Sequence, residues 1–394
     1  MDAPDGSRAN HEAGVTVFLC GDVMTGRAID QILPHPSNPT IYEPVVRDAR
    51  TYIELAEAVN GPIPRPVEFS YIWGDALAEL QRVAPDARIV NLETSVTRSD
   101  EALPKGINYR MHPENVGCLT AAGLDVCVLA NNHVLDYGYA GLGETLETLH
   151  RAGLKTAGAG RTLAEARRPA VVDLTGDPRI VVHGFGTTSS GIPSSWAATE
   201  HCPGVNFLSD LSEATAAAIG ERVRADKRRG DVTIASIHWG TNWGYEVPAA
   251  QIRFAHRLID GGFDIVHGHS SHHPRPIEVY RNRIILYGCG DFINDYEGIS
   301  GHEEYRADLT LMYFATANPA TGDLVRLRMT PMQLRKMRLN RAVPRDAHWL
   351  RDTLARISLC FGSWVEDADD GSLLLRWKST SGSWRERDSQ KPES

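Results

Sequence analysis

Residues 124–138 of the chain read LDVCVLANNHVLDYG, a pattern that indicates the fold class. Its first half is a continuous apolar run of strand length, which is typical of a strand buried on both faces. The run ends at Asn131 and Asn132, and His133 and Asp136 follow directly. Asn132 offers a neutral carbonyl oxygen, His133 titrates near neutral pH, and Asp136 offers a carboxylate that can orient the imidazole. The stretch therefore predicts a buried strand that delivers a ligand, a proton carrier and its orienting group to one point.

The same alternation of apolar strand and helix recurs along the chain. Predicted strands cover 15–20, 87–93, 124–130, 178–186, 231–240, 263–269 and 283–292, and predicted helices cover 140–153, 213–230 and 249–262. Continuous apolar strands that alternate with helices indicate an α/β fold whose sheet is covered on both faces.

Three segments depart from this pattern. Residues 31–72 carry seven prolines, and we expect a long irregular insertion that covers a binding site like a lid. Residues 309–334 predict a hairpin that turns at 318–322, within an appended β-rich region at 306–377 packed on the same domain as 15–305. The polar residues 378–394 predict a disordered tail.

Nearly every predicted strand ends in a potential metal ligand or proton carrier. These residues are Asp22, Glu93, Asn132, His238, His269, His272, His273 and Asp291. Ligands of open α/β sheets bind beyond the carboxyl ends of the strands, so residues far apart in sequence would converge at one rim. Any one of the aspartates or asparagines alone would be explained as a turn or cap residue. So many in one chain favour a shared site.

Composition narrows the class of protein. The 394-residue chain has a formal net charge of −9 and no long basic run, which argues against a nucleic-acid partner. No stretch approaches the roughly 18 apolar residues of a membrane span, and no apolar signal region follows the polar N-terminus. The six cysteines are scattered without a C-x-x-C pair, which favours reduced thiols. We expect a cytoplasmic protein without a membrane anchor.

Several sequence blocks resemble the CapA, or poly-γ-glutamate capsule synthesis, family over about residues 15–295. They are GDVMTGR (21–27), NLE (91–93), LANNHVLDYGYAGLGETLETL (129–149), AGAGR (157–161), HWG (238–240), GHSSHH (268–273) and YGCGDF (287–292). The resemblance implies a calcineurin-like metallophosphoesterase fold, an αββα sandwich. By position it implies that the metal-site residues are Asp22, Glu93, Asn132, His238, His269 and His272, and that His133 is a proton donor.

The chain also departs from the usual metallophosphoesterase motifs. Met24 stands where the D-x-H motif has a histidine, Glu93 replaces the usual bridging aspartate, and the last histidine motif is stretched to G-H-S-S-H-H. We therefore expect one of the two metal positions to lack a ligand. The oxygen-rich remainder favours a divalent ion such as Ca²⁺, Mg²⁺ or Mn²⁺ over a dinuclear zinc or iron centre.

Within that family the motifs are similar to those of the lasso-peptide epimerases. This resemblance implies a metal-dependent isomerase that inverts the Cα centre at the C-terminus of a ribosomal precursor peptide. His133 with Asp136 would form one acid/base pair, and Asp22 with His269 or His272 would form the other. The alternatives are a metal-dependent phosphoesterase or other hydrolase, and a non-catalytic capsule assembly factor. The aromatic cluster of Trp239, Trp243 and Tyr245 either holds a large substrate side chain or packs in the core.

Overall fold

A computed structural model describes residues 14–175 and 178–378. The predicted disordered tail therefore lies outside the described residues, apart from Lys378. The strands are β1 (Val15–Val23), β2 (Ala87–Leu92), β3 (Ser95–Val96), β4 (Arg110–Met111), β5 (Val126–Val128), β6 (Lys155–Ala157), β7 (Ala159–Gly160), β8 (Ala170–Asp173), β9 (Arg179–Thr187), β10 (Gly204–Val205), β11 (Phe207–Leu208), β12 (Val232–His238), β13 (Ile265–His269), β14 (Ile277–Tyr280), β15 (Arg283–Leu286), β16 (Asp291–Ile293), β17 (Leu309–Ala317), β18 (Leu324–Leu334), β19 (Leu339–Arg341), β20 (Ser363–Asp367) and β21 (Leu373–Trp377). The helices are α1 (Arg27–Ile32), α2 (Arg50–Asn60), α3 (Ala76–Val83), α4 (Gly117–Thr120), α5 (Gly138–Arg151), α6 (Leu163–Arg167), α7 (Glu213–Asp226), α8 (Ala249–Asp260) and α9 (Pro344–Ser358).

Two large sheets form the centre of the molecule. The first has the strand order β20-β21-β18-β17-β1-β2-β5-β6, and the second has the order β11-β9-β12-β13-β15-β14. Strands β1, β2, β5 and β6 run parallel to one another. Strands β11, β9, β12, β13 and β15 are likewise parallel. Each sheet therefore has one edge at which the carboxyl ends of its parallel strands meet.

Alternating apolar side chains place the two sheets face to face. On β1, Val17 belongs to the core cluster between the sheets, whereas Phe18 belongs to the cluster shared with helices α1, α2, α3 and α5. On β12, Ile234 faces the first sheet, whereas Ile237 packs in the cluster that contains α7 and α8. This alternation with a period of two covers both faces of each sheet. The layers follow in the order α, β, β, α, and the predicted αββα sandwich is confirmed.

The strand register aligns the polar residues at the rim. His238 at the end of β12 is the register partner of His269 at the end of β13. Asp22 near the end of β1 is the partner of Asp291 at the start of β16, and it is also paired with Asn91 of β2. These pairings bring residues of both sheets to the same rim of the sandwich.

The insertion at 31–72 differs from the irregular loop that was expected, because it contains the eleven-residue helix α2. Tyr52, Ile53 and Ala56 are buried on one face of this helix and join the core cluster outside the first sheet. Their spacing is that of an amphipathic helix. The seven prolines lie before and after this helix. Their number over the whole insertion therefore gave no indication that residues 50–60 have helical periodicity.

Two further features lie in the C-terminal third. The hairpin expected at 309–334 is present as β17 and β18, and β17 pairs with β1, so the 306–377 region continues the first sheet and also contributes helix α9. The single strand expected at 283–292 is divided into β15 and β16, with Gly290 between them in the left-handed region (φ +79°). Within the described ranges, no helix combines the length and apolar content that a bilayer crossing requires.

Candidate metal centre and acid/base site

Three buried residues form the centre of the candidate site. The carboxylate of Asp22 and the imidazoles of His238 and His269 each offer one ligand atom, and these atoms lie within 4.8 Å of one another. The Nδ1 atoms of His238 and His269 are 2.8 Å apart, and Asp22 Oδ1 is 3.6 Å from Nδ1 of His269. Carboxylate and imidazole groups at these separations can share one metal ion after small side-chain adjustments.

Asn132 and Glu93 extend this cluster on the far side of His238. Asn132 Oδ1 is 2.9 Å and Glu93 Oε1 is 3.7 Å from Nε2 of His238. Glu93 Oε1 is also 3.8 Å from Nε2 of His133, so this carboxylate lies between the metal cluster and the expected proton carrier. The structure thus brings together Asp22, Glu93, Asn132, His238 and His269 of the predicted metal-site residues.

The position of Asp22 is fixed by hydrogen bonds from two neighbouring elements. Asn91 Nδ2 donates to Asp22 Oδ1 at 2.7 Å, and the backbone N–H of Ser270 donates to Oδ2 at 3.0 Å. Ser270 has a φ of +100°, a backbone conformation that residues other than glycine rarely adopt. Strained backbone of this kind persists where the surrounding structure imposes it, and it is frequent at functional sites.

The electrostatics of the cluster fit a bound cation. Burial, together with the charge of Asp291, raises the pKa of Asp22 to about 7. Burial and the charges of Asp22 and Asp291 raise the pKa of Glu93 well above its ordinary value. Burial lowers the pKa of both His238 and His269, so these imidazoles are neutral and can act as ligands. Without a cation, buried carboxylates of this kind tend to bind protons. A divalent ion held by this donor set would replace those protons and supply the compensating positive charge.

Met24 does not contribute a ligand to the site. Its side chain is 2% exposed, and its Sδ atom accepts a hydrogen bond from the backbone N–H of Gly26 at 3.2 Å. The residue therefore belongs to the core, and the loss of a ligand from one of two metal positions stays a prediction.

His133 and Asp136 form the predicted first dyad. Nδ1 of His133 is 2.6 Å from Asp136 Oδ2, and since a carboxylate only accepts, His133 donates and its Nε2 is left as a free base. Asp136 also accepts from Lys105 Nζ at 2.6 Å and from the backbone N–H of Tyr109 at 2.7 Å. Burial lowers the pKa of His133 to about 4 although Asp136 opposes this change. His133 is therefore an oriented, neutral imidazole at neutral pH.

His272 forms a second dyad with a different carboxylate from the one expected. Its Nδ1 is 2.9 Å and 3.1 Å from the two carboxylate oxygens of Asp291. Asp22 had been expected to pair with His269 or His272, and it lies beside His269, with Oδ1 3.6 Å from Nδ1. Asn294 Nδ2 donates to Asp291 Oδ2 at 3.0 Å and holds this carboxylate in place. Although burial lowers it, the Asp291 carboxylate raises the pKa of His272 above its ordinary value. Metal ligation by His272 stays a prediction.

A pair of tyrosines connects the two dyads. The ring of Tyr109 stacks on His133 at a centroid distance of 3.9 Å, and the ring of Tyr296 packs edge-on against His272 at 5.4 Å. The hydroxyls of the two tyrosines are 2.8 Å apart and form a hydrogen bond. The two imidazoles are therefore held by one continuous set of contacts.

Both dyads open into one large cavity of about 840 Å³. Its floor is formed by Glu93, Asn132, His133 and His272, and one wall comes from the insertion 31–72. The insertion contributes Glu43, Tyr52, Val59 and Asn60, and residues 296–300, 302–303 and 333–335 also line the cavity. Asn60 of the insertion hydrogen-bonds to Glu297 and to Arg335, so these segments form a continuous wall. The cavity is large enough for a terminal peptide segment.

The three residues of the aromatic cluster lie in different environments. Trp239 is 1% exposed and packs in the core behind the second sheet. Tyr245 packs against His273 and Tyr305, away from the large cavity. Trp243 lines the cavity, and its ring centroid is 5.3 Å from that of His272. Core packing thus accounts for Trp239, and Trp243 is placed where it could contact a substrate.

Lys105, Tyr109 and Tyr296 are site residues that the sequence did not reveal. All three lie in loops, where no strand end or periodic pattern marks them. Asp291 differs from these three, because the sequence marks it as an acid at a strand end. The sequence did not indicate that its partner is His272.

The comparisons with known proteins agree with the sequence motifs. Residues 16–296 match the family model described as Bacterial capsule synthesis protein PGA_cap. A Mycobacterium tuberculosis (strain CDC 1551 / Oshkosh) protein named probable polyglutamine synthesis accessory protein is 51% identical over 361 residues, which are 91% of this chain and 95% of that protein. The PGA biosynthesis protein CapA of Bacillus subtilis (strain 168) is 27% identical over 328 residues, covering 81% of this chain and 72% of the relative.

Among solved structures, the 5'-nucleotidase precursor from Thermus thermophilus aligns with a TM-score of 0.44 at 13% identity, over 87% of this chain and 58% of that one. The family match covers well over half of the chain, and the mycobacterial relative matches nearly all of it. The chain therefore belongs to the bacterial capsule synthesis protein PGA_cap family.

Proposed function

We propose that this protein is a metal-dependent peptide epimerase that inverts the Cα centre of the C-terminal residue of a ribosomal, lasso-type precursor peptide. The observation that carries the proposal is the pair of His–carboxylate dyads, His133–Asp136 and His272–Asp291. Both histidines line one cavity beside the candidate metal cluster. Inversion of a carbon centre requires one group that removes a proton and another that delivers one from the opposite face. Hydrolysis by an activated water can proceed with a single acid.

The two imidazoles are suited to different halves of this reaction. His133 takes the Cα proton on Nε2, and the electron pair of the C–H bond moves into the adjoining carboxyl group as an enolate. The protonated form of His272 returns a proton to the opposite face, and solvent then resets the protonation of both histidines. The opposite directions of their pKa shifts agree with one base and one acid at the same pH.

The residues around the dyads would stabilise the charge that develops on the substrate. Asp22, Glu93, Asn132, His238 and His269 would hold a divalent cation, for which a hard ion such as Ca²⁺, Mg²⁺ or Mn²⁺ is proposed. When bound, this cation supplies positive charge that offsets the terminal carboxylate and the enolate. Lys105, whose side chain is 26% exposed and which donates to Asp136 and to the backbone carbonyl of Asn132, adds a second positive charge at the cavity floor.

The test is isotope exchange at the peptide Cα. The protein is loaded with Mn²⁺ in D₂O and incubated with synthetic peptides that carry a free carboxylate and differ in the last residue. We expect deuterium at the terminal Cα by mass spectrometry and the D-residue after hydrolysis and chiral chromatography. His133→Ala and His272→Ala should each abolish inversion, and one of them should still exchange one enantiomer.

His150→Ala is the matched control, because His150 is exposed on α5, outside the cavity, and its ring hydrogen-bonds to Thr156 Oγ1. It should behave as the wild type. Inversion that persists in His133→Ala would overturn the proposed roles. Efficient release of p-nitrophenol from its phosphate ester, without exchange at Cα, would favour a metal-dependent hydrolase instead.

A second candidate is an accessory role in the synthesis of a glutamyl polymer. It is favoured by the name of the mycobacterial relative, which is 51% identical over 91% of this chain. Under this candidate the cavity binds the polymer without turning it over. Equal binding of poly-γ-glutamate to the wild type and to His133→Ala, with no isotope exchange in any peptide, would support it over the epimerase.

A further inference from the structure

His267 is a buried histidine that the proposed reaction does not use. It lies on β13 two residues before His269 and is 0% exposed. Its Nε2 is 2.7 Å from the backbone carbonyl oxygen of Cys20, and its Nδ1 is 3.0 Å from Ser236 Oγ. A carbonyl oxygen only accepts hydrogen bonds, so the proton of His267 is on Nε2. In the described part of the chain no carboxylate is hydrogen-bonded to this ring, and a buried ring without such a partner is neutral, with an unprotonated Nδ1.

The hydroxyl proton of Ser236 in turn determines the tautomer of His269. The serine hydroxyl has one proton, and the unprotonated Nδ1 of His267 requires it as a donor. Ser236 Oγ then accepts a hydrogen bond from the other nitrogen within reach, Nε2 of His269, at 3.0 Å. His269 therefore carries its proton on Nε2 and directs the lone pair of Nδ1 toward Asp22 and His238.

We propose that Ser236 and His267 are positioning residues that hold His269 in the tautomer whose Nδ1 binds the metal ion. The chain of hydrogen bonds begins at the Cys20 carbonyl on the first sheet and ends at the metal cluster. Histidine ligands of metals depend on such partners of the second nitrogen, which set ring orientation and basicity. This inference goes beyond the proposed function, because it concerns the metal cluster and not the substrate.

With this tautomer of His269, the contacts of His238 leave a position for a cation. Nδ1 of His238 is 2.8 Å from the unprotonated Nδ1 of His269, and its Nε2 is 2.9 Å from Asn132 Oδ1. A neutral imidazole has one proton for these two acceptors. One of the two contacts is consequently left without a proton, and a cation at that position would satisfy both lone pairs.

The test measures metal affinity with the metal alone. Mn²⁺ is titrated calorimetrically into chelator-treated wild type, Ser236→Ala and Thr233→Val. Thr233 is the matched control because it lies on the same strand, is 1% exposed, and its hydroxyl has no hydrogen-bond partner among the described residues. We expect Ser236→Ala to bind Mn²⁺ about 10- to 100-fold more weakly, and Thr233→Val to match the wild type.

The tautomer itself is read from nitrogen NMR of histidine-labelled, metal-free wild type. The His269 signals are identified by their loss in His269→Gln, and we expect a protonated Nε2 and an unprotonated Nδ1. A proton on Nδ1, or equal Mn²⁺ affinity in Ser236→Ala and Thr233→Val, would overturn the inference. If Ser236→Ala does not fold, the wild-type spectrum alone decides. A peptide that shows no inversion would leave these two measurements unaffected, so failure of the proposed function is distinguishable.

Discussion

Replacement of Asp295 by alanine should destabilise the protein by breaking a buried ion pair at the cavity wall. The Arg27 guanidinium donates to both carboxylate oxygens of Asp295, with Nε at 3.0 Å from Oδ2, and its Nη1 donates to Glu43 at 2.8 Å. The side chains of Arg27 and Asp295 are 3% and 0% exposed. Asp295 also accepts from the backbone N–H of Ala28 at 3.0 Å.

The expected magnitude follows from this geometry. Removal of one partner of a buried pair costs about 3–5 kcal/mol, because the other charge is left without compensation. Glu43 remains beside Arg27, so a value near the middle, about 4 kcal/mol, is expected. At about 2.1 cal/mol/K per residue, a chain of 394 residues has an unfolding entropy of about 0.8 kcal/mol/K, and the melting temperature should fall by about 5 °C.

Differential scanning calorimetry of the metal-free protein measures this change. Arg151→Ala is the control, since Arg151 pairs with Glu147 on the exposed face of α5 at 3.0 Å with side chains 70% and 55% exposed. Exposed pairs of this kind contribute about 0.3–0.5 kcal/mol, so its melting temperature should fall by less than about 1 °C. A decrease in Asp295→Ala no larger than that of the control would show that the Arg27 pair does not hold the wall of the cavity.

Three further outcomes are expected. Asp136→Asn should retain metal, measured by elemental analysis, yet lose most of the epimerisation rate, because it disturbs the His133 tautomer and removes no proposed ligand. A loss of metal as large as the loss of rate would contradict this. Mn²⁺ at about 100 times its dissociation constant should stabilise the wild type by about 2.7 kcal/mol in calorimetry, and an equal effect in Asp22→Asn would show that the ion binds elsewhere. Burial lowers the pKa of His183 to about 4; the folded state then binds fewer protons than the unfolded state, so stability present above about pH 6.5 should be lost as the pH falls toward 4. The free energy of unfolding of His183→Gln, measured in urea, should lack this part of the pH dependence. An unchanged dependence of this free energy on pH would exclude His183 as its source.

The site residues at the ends of strands could be predicted from the sequence. Apolar runs located β1, β2, β5, β12 and β13, and the residues directly beyond them converge as the strand-end rule requires. The dyad of His133 and Asp136 was also visible, because its two members are three residues apart and lie within one turn.

The second dyad could not be derived in the same way. Asp291 and His272 are 19 residues apart, and their contact depends on the turn at Gly290 and on the pairing of β16 with β1. Asp22 was equally acceptable as a partner for His272 in the sequence, since only the register decides which acid faces the ring. Tyr109 and Tyr296 were missed because contacts between loop residues leave no periodic signal.

The metal cluster is divided between the two sheets, so its assembly depends on their packing against each other. Asp22 lies near the end of β1 and Asn132 follows β5, both in the first sheet, whereas His238 and His269 end strands of the second. A half-molecule that contained either sheet alone would carry only part of the donor set. We therefore expect tight Mn²⁺ binding to require that the two sheets pack in their native alignment.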